Sequence, residues 1–358
     1  MTDPVRTKRK AVPSPTGLEA DPPRHDRDQA DRTSNADANA NDDAGADADA
    51  TADVYAKKVE DADVDWNDVI DTHCHITDTL DPSEFETMAE HLRTRQLWMM
   101  ASHAGDWDAL TRAAQHAPAK CIPFYGIHPW HLPALQDPAA PAAGAVSEAV
   151  WCDLEDRVRR YAAAGIGEIG VDFKATDPAT GALRDRGMQE AVWARQLRLA
   201  VRLGRPVSMH CVAASGVLVD VLTALDAEAG PPLPSRRQRR RQQQQQRGPV
   251  PGPPIILHSF GGSPETLKRI LQLDHVGPRV YVGFSQAING ARTPAATLRQ
   301  RIAAVPDDRL LLESDVPQWH AVDAAMLAIG RCVAAHRGWD LASCFRICAQ
   351  NARRVLAS

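Results

Sequence analysis

The sequence predicts an α/β fold, a (β/α)8 TIM-like barrel, and three observations predict it. Short apolar runs rich in β-favouring residues alternate with helix-patterned segments eight times from Trp66 onward, and that repetition implies a parallel sheet. The repeats occupy about 290 residues, which suits a closed barrel whose usual length is about 250 before insertions. Several of the runs end in histidine or carboxylate, and in a barrel such strand ends meet at one mouth. A doubly wound open sheet would satisfy the first observation as well.

The chain begins with a tail. Residues 1–63 are polar and repetitive, with Asn35 to Ala40 leading into an Asp/Ala tract, and they cannot bury enough apolar surface to offset the entropy of ordering. Residues 1–63 are therefore expected to be a disordered acidic tail, and 64–358 the barrel. Through residue 65 there are 16 acidic and 9 basic residues, a net of −7, against +2 for the remainder. Lys8, Arg9 and Lys10 read either as a nuclear-import patch or as ordinary solvated charge.

The first strand, Val69 to His75, runs apolar residues into two histidines one residue apart, which a period-two strand projects from one face. Strands follow at Gln96 to Ser102, Cys121 to His128, Gly167 to Phe173, Pro206 to His210, Ile255 to Ser259, Val280 to Ser285 and Leu310 to Asp315. Helical segments between them include Pro82 to Leu92, Trp151 to Ala164, Asp185 to Leu203, Ser215 to Ala227 and Ser263 to Leu273. Between the fifth helix and the sixth strand, residues 230–254 form a low-complexity insert of proline, arginine and glutamine whose composition forbids a packed core. Its six arginines suggest a tether for nucleic acid or a protein partner. The alternative reading is a repeat-expanded loop without a role, favoured because a connection entering a strand lies on the face opposite a barrel's active site.

Composition removes several function classes. With 44% hydrophobic residues in 358, the chain can bury a sizeable core. Seven cysteines without CxxC spacing suit a reducing compartment better than a disulfide framework. No stretch of about 18 apolar residues and no signal-peptide pattern occur, so a cytoplasmic or nuclear location and no membrane are expected. Without the insert's arginines the body carries a net charge of −4, which is not the broadly basic surface of a duplex-coating protein.

Chemistry gathers at the strand ends. His73 and His75 close the first strand, Glu168 lies in the fourth, His210 ends the fifth, His258 the sixth and Asp315 the eighth. Four imidazoles and two carboxylates at one mouth make a two-cation site the expected reading, although any one of them alone would read as a hydrogen-bonded rim residue. Asp172 shares a face with Glu168, and Glu313 shares one with Asp315, so both are expected to support the site or the rim. Cys74 and Cys211 alternate away and read as packing. Imidazole and carboxylate ligands without thiolate admit Zn²⁺, Mn²⁺ or Mg²⁺.

The motifs Asp71-Thr72-His73-Cys74-His75, Gly126-Ile127-His128-Pro129, Gly167-Glu168-Ile169-Gly170-Val171-Asp172, His258-Ser259-Phe260-Gly261-Gly262, Glu313-Ser314-Asp315-Val316-Pro317 and Asn351-Ala352-Arg353-Arg354 resemble the successive signatures of TatD-type metal-dependent deoxyribonucleases. The resemblance runs from about Val69 to Leu356 and implies an amidohydrolase-like barrel. It implies that His73, His75 and Asp315 hold one divalent cation, that His210 and His258 hold a second, and that Glu168 bridges them. Asp315 would orient and deprotonate water, and His128 would contact substrate or stabilise charge. The implied substrate is DNA, at ends or in single strands. One departure is notable: many family members carry an arginine or another polar residue two positions after the fifth-strand histidine, where this chain has Val212, and a valine side chain cannot make arginine's bidentate contact with phosphate. Trp130, after His128, reads either as packed against the rim or as stacked on an unpaired base. Two other functions remain compatible with the residues: hydrolysis of a small amide, ester or lactone, and a barrel that binds partners through its tail or insert.

Overall fold

The computed structural model describes residues 64–78, 84–132, 146–231 and 252–357. The acidic tail and residues 232–251 of the insert lie outside them. Eight strands, β1 (Ile70–Cys74), β2 (Gln96–Met100), β3 (Cys121–Tyr125), β4 (Gly165–Asp172), β5 (Val207–Val212), β6 (Ile255–Leu257), β7 (Val280–Ser285) and β8 (Leu310–Glu313), pair in chain order, every ladder parallel. The ends of this sheet meet. Thr72 Oγ1 donates to Leu312 O at 3.0 Å, Asp315 N to His73 O at 3.0 Å, and His75 N to Val316 O at 3.1 Å. The Asp71 carboxylate adds bonds from Ser314 N at 2.9 Å and Ser314 Oγ at 2.5 Å. These bonds join β8 to β1, so the open-sheet alternative is set aside in favour of the barrel.

Alternation along the strands sorts two cores. Trp98, Met100, Ile122, Phe124, Ile256, Tyr281 and Leu311 form one buried cluster, while their neighbours Leu97, Met99, Cys121, Tyr125 and Leu257 belong to the larger cluster shared with the helices. Both faces of the sheet are thus covered, as a parallel barrel requires. A Cβ at Gly165 would meet the Phe124 ring at 2.2 Å, so the small residue on β4 makes room for the large one on β3.

Helices α1 (Phe85–His91), α2 (Trp107–His116), α3 (Glu148–Arg160), α4 (Arg186–Leu203), α5 (Ser215–Ala229), α6 (Pro264–Leu271), α7 (Ala295–Ala304), α8 (Val322–Arg337) and α9 (Leu341–Leu356) alternate with and follow the strands. The sequence marks their ends. Asp185, Ser263 and Asp340 cap α4, α6 and α9 through their side chains, and Gly204 and Gly338 leave α4 and α8 in the left-handed conformation. Asn351 on α9 donates to the carbonyls of Asp307 and Leu310, tying the last helix to the entry of β8. The described flank that follows the insert lies at strand entries: Val207 N donates to Pro254 O, and Arg279 Nη1 donates to Pro253 O at 2.8 Å.

Strand ends differ from the sequence reading in a way that matters for the site. β1, β3, β6 and β8 stop before His75, His128, His258 and Asp315, which stand in the first residues of the following loops. At two of these points the backbone leaves the extended region, with Ser259 at φ 39° and Asp315 at φ 56°, which ends the ladder. Conversely, β5 continues two residues past His210, because Cys211 and Val212 pair with Val171 and Asp172.

Candidate metal centre

Glu168 lies near the centre of the barrel mouth, buried, with its two carboxylate oxygens facing different histidines. Oε2 lies 3.3 Å from His73 Nε2 and 3.0 Å from His75 Nε2; Oε1 lies 2.7 Å from His210 Nδ1, 3.5 Å from His258 Nε2 and 3.6 Å from His128 Nε2. Asp315 closes the same ring. Its Oδ1 is 3.8 Å from His75 Nε2 and 4.0 Å from His73 Nε2, and its Oδ2 is 3.6 Å from His258 Nε2. All seven residues named from the sequence as ligands or catalytic groups therefore meet at one place.

Outside this ring, each histidine has a partner for its second nitrogen. His73 Nδ1 is 3.0 Å from Ser208 Oγ on β5, and His75 Nδ1 is 3.5 Å from Ser102 Oγ after β2. His258 Nδ1 is 3.0 Å from Glu313 Oε1, an ion-pair separation rather than a well-aligned hydrogen bond. His210 Nε2 faces Asp172 Oδ2 at 3.5 Å. Partners of this kind orient an imidazole and fix which nitrogen is left for a cation. Asp172 and Glu313, expected only as support or rim, thus each stand behind one histidine of the cluster.

His128 is arranged differently. Its Nδ1 accepts from the backbone N–H of Trp130 at 3.2 Å, and since an amide can only donate, the neutral ring carries its proton on Nε2. Burial pushes His128 down to about 4, which keeps it neutral, and Nε2–H is aimed at the cluster as a hydrogen-bond donor. The other groups shift with the crowding. Burial favours a neutral Glu168, but the imidazoles of His128, His258, His73 and His210 outweigh it and hold the carboxyl well below its ordinary range. Burial also opposes protonation of His258 and His210, yet the carboxylates Glu313, Asp315 and Glu168 lift His258 to about 10, and Glu168 with Asp172 lifts His210 to about 9.

The donor set fits divalent cations. His73 Nε2 and His75 Nε2 stand 3.1 Å apart while both face the same oxygen of Glu168, a crowding that shared protons satisfy only in part and a cation satisfies throughout. Three triads bring ligand atoms within 4.8 Å of one another: His73, His75 and Asp315; His73, Glu168 and His258; and His128, Glu168 and His210. Glu168 enters two of them.

Several supporting residues carried no signal in the strand pattern. Gln189 and Gln196, both buried on α4, clamp backbone on the site's flank: Gln189 Oε1 accepts from Asp172 N at 2.7 Å while its Nε2 donates to Asp172 O, and Gln196 does the same for Ile127 at 2.8 and 3.0 Å. Two glutamines seven apart on the apolar face of a helix were the available clue, because a buried amide needs partners. Beside Glu313, Ser259 N and Ser259 Oγ donate to its Oε1 at 2.5 and 3.1 Å. A Cβ at Gly283 on β7 would come within 2.2 Å of Glu313 Oε2, so only glycine leaves space for this carboxylate.

The sequence and the fold have known counterparts. A family profile described as "TatD related DNase" matches residues 70–357. The chain is 28% identical to the Cut9-interacting protein scn1 of Schizosaccharomyces pombe over 299 residues, covering 69% of this chain and 86% of that one. It is 30% identical to the 3'-5' ssDNA/RNA exonuclease TatD of Edwardsiella piscicida over 204 residues, 57% of this chain and 61% of that enzyme's length. Among solved structures, the TatD homologue YJJV of Escherichia coli k12 superposes with a TM-score of 0.59 at 20% identity, covering 82% of this chain and all of that one, a likeness of fold.

Proposed function

The chain belongs to the TatD-related DNase family, and on that premise we propose that it is a divalent-metal-dependent hydrolase of phosphodiester bonds, acting on DNA at ends or in unpaired strands. One observation carries the reading. The two oxygens of Glu168 are divided between His73 and His75 on one side and His210 and His258 on the other, which suits a carboxylate shared by two cations.

His73, His75 and Asp315 would hold one cation, His210 and His258 the other, and Glu168 both. Zn²⁺, Mn²⁺ and Mg²⁺ all match these donors. Bound there, divalent cations acidify water and offset charge on the attacked and leaving oxygens of a phosphodiester. The protein's own groups supply the rest. Asp315 accepts the proton of the attacking water at a carboxylate oxygen, Oδ2 being held by Ser259 Oγ at 3.4 Å. His128 donates from Nε2 to a non-bridging phosphate oxygen as a neutral donor, so its contribution is directional rather than a full charge. Glu313 and Asp172 keep His258 and His210 turned toward the cluster.

No helix among the described residues is long and apolar enough to cross a membrane. A cytoplasmic or nuclear site of action fits the free cysteines. The tail and the Arg/Gln insert are the segments we assign to any protein partner, and the described residues after the insert enter β6 at the end opposite the site.

The deciding experiment strips the purified protein of metal and reloads it with Mg²⁺, Mn²⁺ or Zn²⁺. End-labelled single- and double-stranded DNA are then offered beside generic ester and amide substrates. DNA cleavage that disappears in His73→Ala and Asp315→Asn establishes the reading. Cleavage that survives both substitutions, or turnover of carbonyl substrates alone, overturns it.

A further inference from the structure

Trp130 is the most exposed large apolar side chain among the described residues, at 54%, and it stands beside the metal-ligand cluster. An indole in that position is ordinarily folded against the rim, where burial stabilises it. Here it is held by its edge instead. Nε1 donates to Asp172 Oδ2 at 2.7 Å, so the one polar atom of the side chain is satisfied while much of the ring remains open. The ring centroid lies 4.7 Å from that of His128 and 6.0 Å from that of His210, both contacts edge to face.

Other surface nearby is apolar too. Val212, 38% exposed, is the register partner of Asp172, and Leu183, 41% exposed, lies on the β4–α4 connection. Arg184 Nη1, next in the chain, donates to Leu132 O, joining that connection to the Trp130 turn. A duplex presents charged phosphates and would be met by cations along such a rim. This flank presents an aromatic ring and two aliphatic side chains, which match the flat face of a base that is not paired, while the exposed Lys174 of the same connection and Arg186 at the start of α4 are placed to meet the strand's phosphates.

We propose that Trp130, positioned by Asp172, is a stacking platform for an unpaired nucleobase next to the scissile phosphate, and so determines which strand ends the enzyme accepts. The inference rests on the phosphodiesterase reading above and adds to it a residue that selects the substrate. Stacking of a base on an aromatic side chain is sequence-tolerant, and losing one such contact weakens binding by roughly five-fold to more than a hundred-fold. His128, which caps the turn that carries Trp130, links the platform to the donor aimed at the phosphate.

The test compares a short thymidine strand with the same strand bearing abasic residues at its terminus. The ratio of their kcat/KM values is measured for the wild type, Trp130→Ala and Trp130→Phe. Wild type should favour the base-bearing strand, Trp130→Ala should lose at least about five-fold of that preference, and Trp130→Phe should recover most of it. An equal loss on both strands, or an unchanged ratio, overturns the proposal and leaves Trp130 a structural residue or a contact for a protein.

The same ratio is read without turnover, as fluorescence anisotropy of labelled strands on Asp315→Asn protein in Mg²⁺ and on its Trp130→Ala derivative. If the wild type cleaves nothing, the hydrolase reading fails, while the binding ratio still decides the role of Trp130. Ribonucleotide and duplex versions of the strand separate an RNA base from a DNA base and test that pairing abolishes the effect.

Discussion

Glu313 Oε1 lies 3.0 Å from His258 Nδ1 with both side chains buried, so a carboxylate from the end of β8 decides which nitrogen of a β6-loop histidine is left to face the cluster. Replacing Glu313 with glutamine keeps the shape and removes the charge. We expect Glu313→Gln to weaken metal affinity about 10- to 100-fold while the protein remains folded. Titration with Mn²⁺, followed by paramagnetic resonance of the free ion, measures this, and an unchanged affinity would show that the pair is structural only.

Gly283 tests the same pair from the other side. Gly283→Ala places a methyl group within 2.2 Å of Glu313 Oε2 and should displace the carboxylate. Its metal affinity should fall as in Glu313→Gln, and combining the two substitutions should cost less than the sum of the separate losses. Full additivity in that double-mutant cycle would separate the glycine from the carboxylate.

Proton release should accompany metal binding. In the metal-free protein His258 and His210 are lifted to about 10 and about 9, so both are protonated at neutral pH. A cation requires an unprotonated nitrogen, hence apparent affinity should rise as pH is raised from about 6 to 9, with protons expelled in the calorimeter. Affinity that is flat across this range, with no dependence of heat on the buffer, would contradict the assigned ligands.

Asp71 gives a stability signature with the opposite kind of group. Burial drives its carboxyl up to about 7, against the lowering effect of its bonds from Ser314 and His73. An acid whose folded pKa is raised binds its proton more tightly when folded, so its stabilising share is present at low pH and lost as pH climbs through about 7. The stability of wild type relative to Asp71→Asn, read from chemical denaturation with chelator present, should therefore decline between about pH 4 and 7 and level off above. The change is on the order of 1.4 kcal/mol per unit of pKa difference. A difference that grows over this interval would refute the assignment.

Gln196 predicts a cost in folding and an indirect cost in activity. Gln196→Leu leaves the N–H and C=O of Ile127 without partners, about 1–3 kcal/mol for each orphaned group. The thermal midpoint should fall, and because Ile127 precedes His128, kcat should fall more than KM changes. A variant with wild-type stability and kinetics would mean that water replaces the amide.

That the histidines and carboxylates of the cluster converge was legible because strand periodicity places their side chains and because such residues at consecutive strand ends have few other readings. His75, His128, His258 and Asp315 were assigned to strands yet stand just beyond them; apolar patterning does not register the backbone turns at Ser259 and Asp315. Glu313 and Asp172 were recognisable as residues near the site, but their partners His258 and His210 come from other strands, and register between strands is not written in either one. Gln189, Gln196 and Ser208 left no mark on the strand pattern for a related reason, although the spacing of the two glutamines on the apolar face of α4 was a clue. They bond backbone or a single ring nitrogen, contacts that impose no period on the sequence. Trp130 could be read two ways until its exposure and its bond to Asp172 were known.

The bonds that join β8 to β1 link residues such as Thr72 and Leu312, 240 positions apart. Asp315 sits at that junction, so a growing polypeptide holds His73, His75, Glu168, His210 and His258 long before it holds the last member of the ring. The ring is thereby left incomplete until the final strand docks, and a cation held by His73, His75 and Asp315 would act as a clasp that keeps the first and last strands from parting.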